Sequence, residues 1–352
     1  MSLFELLTIA GREKCSDIHI SAGLPPVMRK NGSFVHMTDK TLTGNDTENL
    51  AREVLSPEQS QIISKNGEVD LAISDNSGNR FRLNVFLQKG NFSLAIRLLN
   101  PTIPSFEALG LPRVVSELSD RSRGLVLVTG PTGSGKSTTL ACMIDKINRE
   151  RDEHIVTLEE PIEYLHSHRK SIVNQREVGK DTGSFAQALR AALRQDPDVI
   201  LIGEMRDLET IAIALTAAET GHLVLSTLHT VGAAKTIDRV IDVFPPHQQQ
   251  QIRTQLSTVL QGVMSQQLIP RKDGTGRVAA VEVMISTPAI RNLIREGKTF
   301  QIQNNMQTGA AQGMITMDAA LLGLYRDNKI SREDCIAYSV DTEYVRKEIG
   351  LR

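Results

Sequence analysis

The sequence predicts an α/β protein in two parts: a small α+β domain, then a larger domain built on a parallel sheet. Three observations carry this. From about residue 113, short apolar runs alternate with helix-like segments, as a parallel sheet with crossover helices requires. Before that point the chain reads as antiparallel strands with two helices. Between them, NPTIPSFEALGLP (100–112) holds three prolines and reads as a linker. The expected division is therefore 1–99, a linker at 100–112, and 113–352 with a helical end from about 285, which suits 352 residues at ~100–200 per domain.

Residues 2–14 carry Leu3, Leu6, Leu7 and Ile9–Ala10 at helical spacing. Val27–Lys30 and Ser33–Met37 flank Asn31–Gly32, a strong two-residue hairpin signal. One helix is expected over 46–65, with Asp46 as its cap and Ala51, Val54, Leu55 and Ile62 as its stripe. Val69–Ser74, Asn79–Leu87 and Phe92–Leu99 then alternate as strands around SDNSGN and QKGN turns.

Composition narrows the function classes. Lys+Arg of 40 against Asp+Glu of 41 leaves a net charge of −1, without the basic surplus of a nucleic-acid binder. No apolar stretch approaches the ~20 residues of a membrane span, and the amino terminus lacks the features of a signal peptide. Cys15, Cys142 and Cys335 stand far apart with no CxxC spacing, so a zinc knuckle or disulfide framework is not expected. The chain reads as cytoplasmic, with reduced thiols.

Chemistry enters after the apolar run Leu125–Thr129. It leads into Gly130-Pro131-Thr132-Gly133-Ser134-Gly135-Lys136-Ser137 and then into helix-like Thr138–Arg149. This is GxxxxGK[ST] with the flanking strand and helix that a phosphate-binding loop requires. Gly130, Gly133 and Gly135 let the backbone curl so that its N–H groups face phosphate oxygens, helped by the helix amino terminus. Residues 130–138 would cradle the nucleotide. Lys136 would reach the β- and γ-phosphates and Ser137 would ligate Mg²⁺.

Three more polar sites follow apolar runs: Glu159-Glu160-Pro161-Ile162-Glu163, Gly203-Glu204, and His229 after Leu223–Leu228. In an open parallel sheet, ligands sit at the carboxyl ends of the strands, so the three belong with the phosphate loop. Gly203 stands where many phosphate-loop enzymes place a metal-holding Asp, which puts Glu204 beside the metal shell or the attacking water. Glu163 is the candidate general base. The residues leave open whether the two carboxylates exchange these roles. His222 and His229 lie ~23 Å apart if the intervening residues form one strand, so they cannot share a metal. His222 is expected to be structural and His229 to sense the γ-phosphate.

Residues 79–87 alternate, with Phe81, Leu83 and Val85 facing one way and Arg80, Arg82 and Asn84 the other. Arg97 opposes Leu94, Ile96 and Leu98 in the same manner. A Lys89–Gly90 turn pairs Arg82 with Arg97; a Gly90–Asn91 turn makes them diagonal neighbours. Either way two guanidiniums crowd one face, which is unfavourable without an anion between them. They are either a solvated pair or a phosphate clamp offered to a neighbouring subunit, worth ~10³–10⁵ in rate.

GPTGSGKS (130–137), LEEPIEYLH (158–166), ALRQDPDVILIGEMRD (192–207) and AAETGHLVLSTLHT (217–230) resemble the conserved boxes of secretion-type hexameric ATPases. AIRNLIRE (289–296), SDIHI (16–20) and MDAALLGLYRDNKISRED (317–334) resemble the type IV pilus retraction ATPases, the PilT family. The resemblance implies a PAS-like first domain, a RecA-like second domain and a homohexamer binding ATP with Mg²⁺ on Ser137 and Glu204. It places Arg82 and Arg97 as arginines acting in trans. It also implies ATP-driven pilus retraction and twitching motility, through an inner-membrane platform protein and hence pilin. The motor would associate with the membrane only peripherally, through that partner. AIRNLIRE would couple hydrolysis to retraction, although Ile290, Leu293 and Ile294 also make an ordinary packing stripe. Glu159-Glu160 stands where the family often has Glu-Asp.

Three rivals carry weaker signals. Assembly or type II secretion ATPases usually bear a paired-CxxC insert, and QQLIPRKDGTGRVAAVEV (266–283) has no cysteine. A RecA-like nucleic-acid motor would bring a basic or aromatic channel, against zero Trp and four Tyr. A nucleotide-binding regulator without turnover would not need Lys136, Ser137, Glu163 and Glu204 together.

Overall fold

The computed structural model describes residues 1–13, 15–30, 33–75, 79–99 and 102–350. The chain forms two compact units, Met1–Thr102 with Pro161–Leu165, and Ile103–Glu160 with His166–Arg352.

The first unit is one antiparallel sheet with helices on one face. Its strands are β1 (Asp17–Ile20), β2 (Val27–Lys30), β3 (Ser33–His36), β4 (Glu68–Ser74), β5 (Arg80–Gln88) and β6 (Asn91–Leu99), in the order β3-β2-β1-β6-β5-β4. Ile18, Ile20, Phe81, Leu83, Val85, Leu94 and Ile96 face the helices and join Leu3, Leu6, Leu7, Leu50 and Ile63 in one core. Each such side chain, fully buried, contributes about 1.5–3 kcal/mol. Sequence reading did not assign β1, whose four residues are too few to display a period, yet it pairs with both β2 and β6.

The single helix expected over 46–65 is two, Gly44–Arg52 and Pro57–Asn66. Pro57 has no N–H to give a continuing helix, so it occupies a first turn, where none is needed. Ser56 caps that turn and exchanges hydrogen bonds with Gln59. Asp46 is not the cap of the earlier helix. Thr43 is, and Asp46 returns a bond from the third helical position.

Lys89 and Gly90 have φ of 51° and 78°, the doubly left-handed turn that matches strand twist. The register is thereby settled, with Arg82 directly opposite Arg97. The expected Asn31–Gly32 turn lies outside the described residues, between the paired Lys30 and Ser33. So do 76–78 of SDNSGN, and Asn100 and Pro101 of the expected linker. Within that linker Phe106–Leu109 forms a short helix, and Phe106 packs into the second unit.

The second unit holds β7 (Gly124–Thr129), β8 (His154–Glu159), β9 (Ile172–Glu177), β10 (Val199–Ile202), β11 (Leu223–Leu228), β12 (Leu260–Pro270) and β13 (Arg277–Ile285). Their order is β13-β12-β7-β11-β10-β8-β9. All neighbours are parallel except the β12–β13 hairpin, which the sequence reading had not assigned. Both faces are covered. Leu125, Leu127, Ile200 and Ile202 point into one core, Val126, Val128, Val199 and Leu201 into the other. That explains why these strands read as unbroken apolar runs. Beyond Ile285 the chain is helical, with Met317–Arg326, Arg332–Ala337 and Thr342–Glu348 packed on the hairpin through Ile269 and Ala280. No helix among the described residues is long and apolar enough to cross a membrane.

Candidate functional site

The glycine loop leaves the buried end of β7 at Gly130 and closes on the helix Lys136–Glu150. Gly130 has φ 140°, and a Cβ there would lie 2.2 Å from the Gln266 carbonyl oxygen. Gly135 has φ 90°, and its Cβ would lie 2.7 Å from Gln266 Nε2. A side chain at Gly130 would have to displace the β12 backbone, and one at Gly135 would have to displace the Gln266 amide and adopt a left-handed φ. Pro131, Thr132 and Gly133 are exposed at the loop's rim, Ser134 is buried, and Ser137 and Thr138 are half-buried on the helix's first turn.

Lys136 is only 8% exposed. Its ammonium donates to the carbonyls of Gly130 (2.9 Å) and Pro131 (3.0 Å) and lies 3.5 Å from His229 Nδ1. His229 Nε2 is 3.2 Å from Glu204 Oε1, which also accepts from Arg206 Nε at 2.6 Å. A lysine can only donate, so this geometry assigns the proton of a neutral His229 to Nε2, facing the carboxylate. Burial pushes the Glu204 carboxyl up, but the Arg206 guanidinium and His229 outweigh it and hold the group below its ordinary value. A relay Lys136–His229–Glu204–Arg206 thus crosses the carboxyl ends of β7, β11 and β10.

The strand ends fix these groups. Gly203 N–H donates to Leu158 carbonyl, the Thr227 hydroxyl donates to Gly203 carbonyl, and Met205 N–H donates to Thr227 carbonyl. A side chain at Gly203 would meet the Leu158 carbonyl at 3.2 Å, so the close β8–β10 approach disfavours an Asp there. Beyond His229, Gly232 N–H donates to Ser265 Oγ and Ala233 N–H to Glu282 Oε1. A cavity of about 380 Å³ opens beside Glu204, His229, Arg206 and Arg239. Glu159, at the end of β8, accepts from Thr157 and Gln175. His222 is separate, its Nδ1 lying 2.9 Å from the Ala217 carbonyl.

Glu163 is carried by the first unit. It lies in Pro161–Leu165, which packs as part of the first unit, where Arg80 Nε donates to Ile162 carbonyl at 2.7 Å. Arg82 and Arg97 are also in the first unit, on the sheet face away from its core. The registers set Arg29, Asp17, Arg97 and Arg82 in one row across β2, β1, β6 and β5. Asp17 is the anion that the crowded guanidiniums called for, 3.0 Å from Arg97 Nε, while Arg82 pairs with no carboxylate among the described residues. Arg29 lies over the Phe34 ring at 4.0 Å. Asp17, Arg206 and Gln266 were missed from sequence. The first stands on an unassigned strand, Arg206 lies inside the quoted 192–207 segment without a role given to it, and Gln266 stands on a strand that was not assigned.

The residues fit a magnesium ion that relies on phosphate and water. Among the described residues no cluster of three or more His, Cys, Asp or Glu could hold a metal. Mg²⁺ at a nucleotide usually takes only one or two protein ligands, and the Ser137 hydroxyl and Glu204 supply such oxygens.

A glycine loop joining a buried parallel strand to a helix, with its lysine set against polar groups from neighbouring strand ends, defines a P-loop α/β protein. Residues 59–322 match the family model described as type II/IV secretion system protein, and the chain belongs to that family. It is 50% identical to the type IV pilus retraction ATPase PilT of Pseudomonas aeruginosa over 95% of this chain and 97% of that one. It is 46% identical to a twitching motility protein of Neisseria gonorrhoeae, covering 94% and 89%. A crystal structure of the pilus retraction motor PilT with bound ADP superimposes with a TM-score of 0.92 at 50% identity, covering 99% of both chains.

Proposed function

We propose that this chain is an ATP-hydrolysing motor that powers type IV pilus retraction and twitching motility. The observation that carries the reading is the Lys136–His229–Glu204 relay at three adjacent strand ends, in a chain half identical to a retraction ATPase along nearly its whole length. Residues 130–138 cradle ATP. Ser137 would hold Mg²⁺, with Glu204 in its shell, and the ion would supply charge neutralisation for the phosphates. Lys136 exchanges its loop carbonyls for phosphate oxygens. His229 then senses the γ-phosphate, Glu163 serves as general base and Glu204 contacts the metal shell or the attacking water, roles the two carboxylates can exchange.

The working form is a homohexamer. Its first domain, residues 1–99, is PAS-like, and its second, 113–352, is RecA-like. Arg82 and Arg97 reach the nucleotide of a neighbouring copy. The motor acts at the cytoplasmic face of the inner membrane, through a platform protein and no nucleic acid. Arg291, half-buried on the helix Pro288–Arg295, belongs to the coupling element, whereas Ile290, Leu293 and Ile294 pack it down. ATPase activity measured against oligomer mass, with and without DNA, tests the reading. Turnover confined to the hexamer and indifferent to DNA is expected; monomeric or DNA-stimulated turnover would refute it.

A further inference from the structure

We infer that Gln266, which no motif marks, is the positioning residue that aims the phosphate loop. It lies on β12 beside β7, where Ser265 pairs with Thr129, so its side chain arrives level with the start of the loop. It is 4% exposed. Its Nε2 donates to the Ser134 carbonyl at 2.7 Å, and its Oε1 accepts from the Thr139 hydroxyl at 2.9 Å. A carbonyl only accepts, so the amide has one permitted orientation, and Thr139 completes it.

The consequence follows from the planar trans peptide. The Ser134 C=O and the Gly135 N–H belong to the same peptide unit and point in opposite directions. Pulling the carbonyl toward Gln266 turns that N–H away from β12, into the concave side of the loop. The same amide rests where a Cβ of Gly135 would be, and the Gln266 backbone oxygen where a Cβ of Gly130 would be. One residue thereby sets the loop's peptide plane, packs against its two positive-φ glycines and ties it to the helix turn holding Thr139. Without this bond the Ser134 carbonyl can rotate inward and present negative partial charge to a phosphate.

The inference rests on residues 130–138 gripping phosphate, and its test separates the two ideas. ADP affinity, and KM and kcat for ATP, are measured on the full assembled protein. Gln266→Met keeps length and burial but removes both hydrogen bonds; ADP affinity should fall about tenfold, with KM rising in step and kcat changing less. Thr139→Val should weaken ADP less, and adding it to Gln266→Met should cost almost nothing more, because both act through one amide. A merely structural role would give additive losses in melting temperature and an unmoved KM. If Gln266→Met does not fold, Gln266→Leu serves, since it also stays apolar and buried, cannot donate to Ser134 and should weaken ADP at least as much. Unchanged ADP affinity in either folded variant, or full additivity with Thr139→Val, overturns the inference. Lys136→Ala is the reference. If it loses ADP while the Gln266 variants keep it, only Gln266 is misassigned; if it also keeps ADP, the phosphate-loop reading fails.

Discussion

The phosphate loop and the arginine row are both polar surfaces on sheets, but they are built in opposite ways. Lys136 is 8% exposed and engaged by groups from two parts of its own unit, the loop carbonyls of Gly130 and Pro131 and the ring of His229. The Arg97 side chain is 70% exposed, with Asp17 the single carboxylate paired with it among the described residues. The first arrangement is preorganised, so a ligand displaces bonds in a dry, fixed frame. The second is a set of charges on open strands, held in register by backbone pairing, with Asp17 beside Arg97 and Phe34 beneath Arg29. Its value depends on a second molecule that brings an anion and removes water. The contrast fits a reaction in which one copy binds nucleotide and the next completes the charge balance.

Variants can break or sharpen that contrast. Removing the buried cation should have the largest effect: Lys136→Ala should lower ATP turnover by at least ~10³-fold, and wild-type phosphate release would refute the loop assignment. Next comes Arg97→Ala, expected to cost ~10²–10³ in turnover of assembled protein while leaving the melting temperature within a few degrees. An unchanged rate would return Arg97 to a solvated surface pair. Arg206→Ala should act more mildly, because it removes one of the groups holding Glu204 below its ordinary value. The carboxyl then takes up a proton at higher pH, and the acid limb of the pH–rate profile should move upward. An unmoved limb would mean that Glu204 titration does not control the rate.

The smallest effect bears on stability. Burial lowers the His166 pKa from 6.5 to about 4, so the folded protein holds this ring neutral where the unfolded chain protonates it. Stability from this group is therefore complete above about pH 6.5 and is lost as pH falls toward 4, a swing on the order of 3 kcal/mol. Melting curves of His166→Gln should show a shallower decline across that window than wild type; identical slopes would place the linkage elsewhere.

Local patterns were legible and long-range ones were not. The phosphate loop with the helix turn it enters is one continuous run, 130–138, directly after a strand, so its position is legible locally. The alternation around Arg82 and Arg97 gave their shared face, but the register waited on the left-handed φ of Lys89. Ser56-Pro57 with Gln59 carried a helix-start signal that the 46–65 stripe obscured. Asp17 lies in the quoted SDIHI segment, but neither that segment nor anything around Gln266 points to the partner each side chain meets. One is defined by β1 pairing with β6, the other by β12 lying against β7, and such pairings belong to topology rather than to any window of sequence.

The central claim is that nucleotide is gripped by the loop of one copy and completed by arginines of another. Mixing the two inactive variants, Lys136→Ala and Arg97→Ala, and assaying ATP turnover after they co-assemble tests it most directly. The account predicts that activity returns, because some seams then join an intact loop to an intact Arg97. Turnover that stays at the level of the separate variants would place both groups in the same copy's site and contradict it.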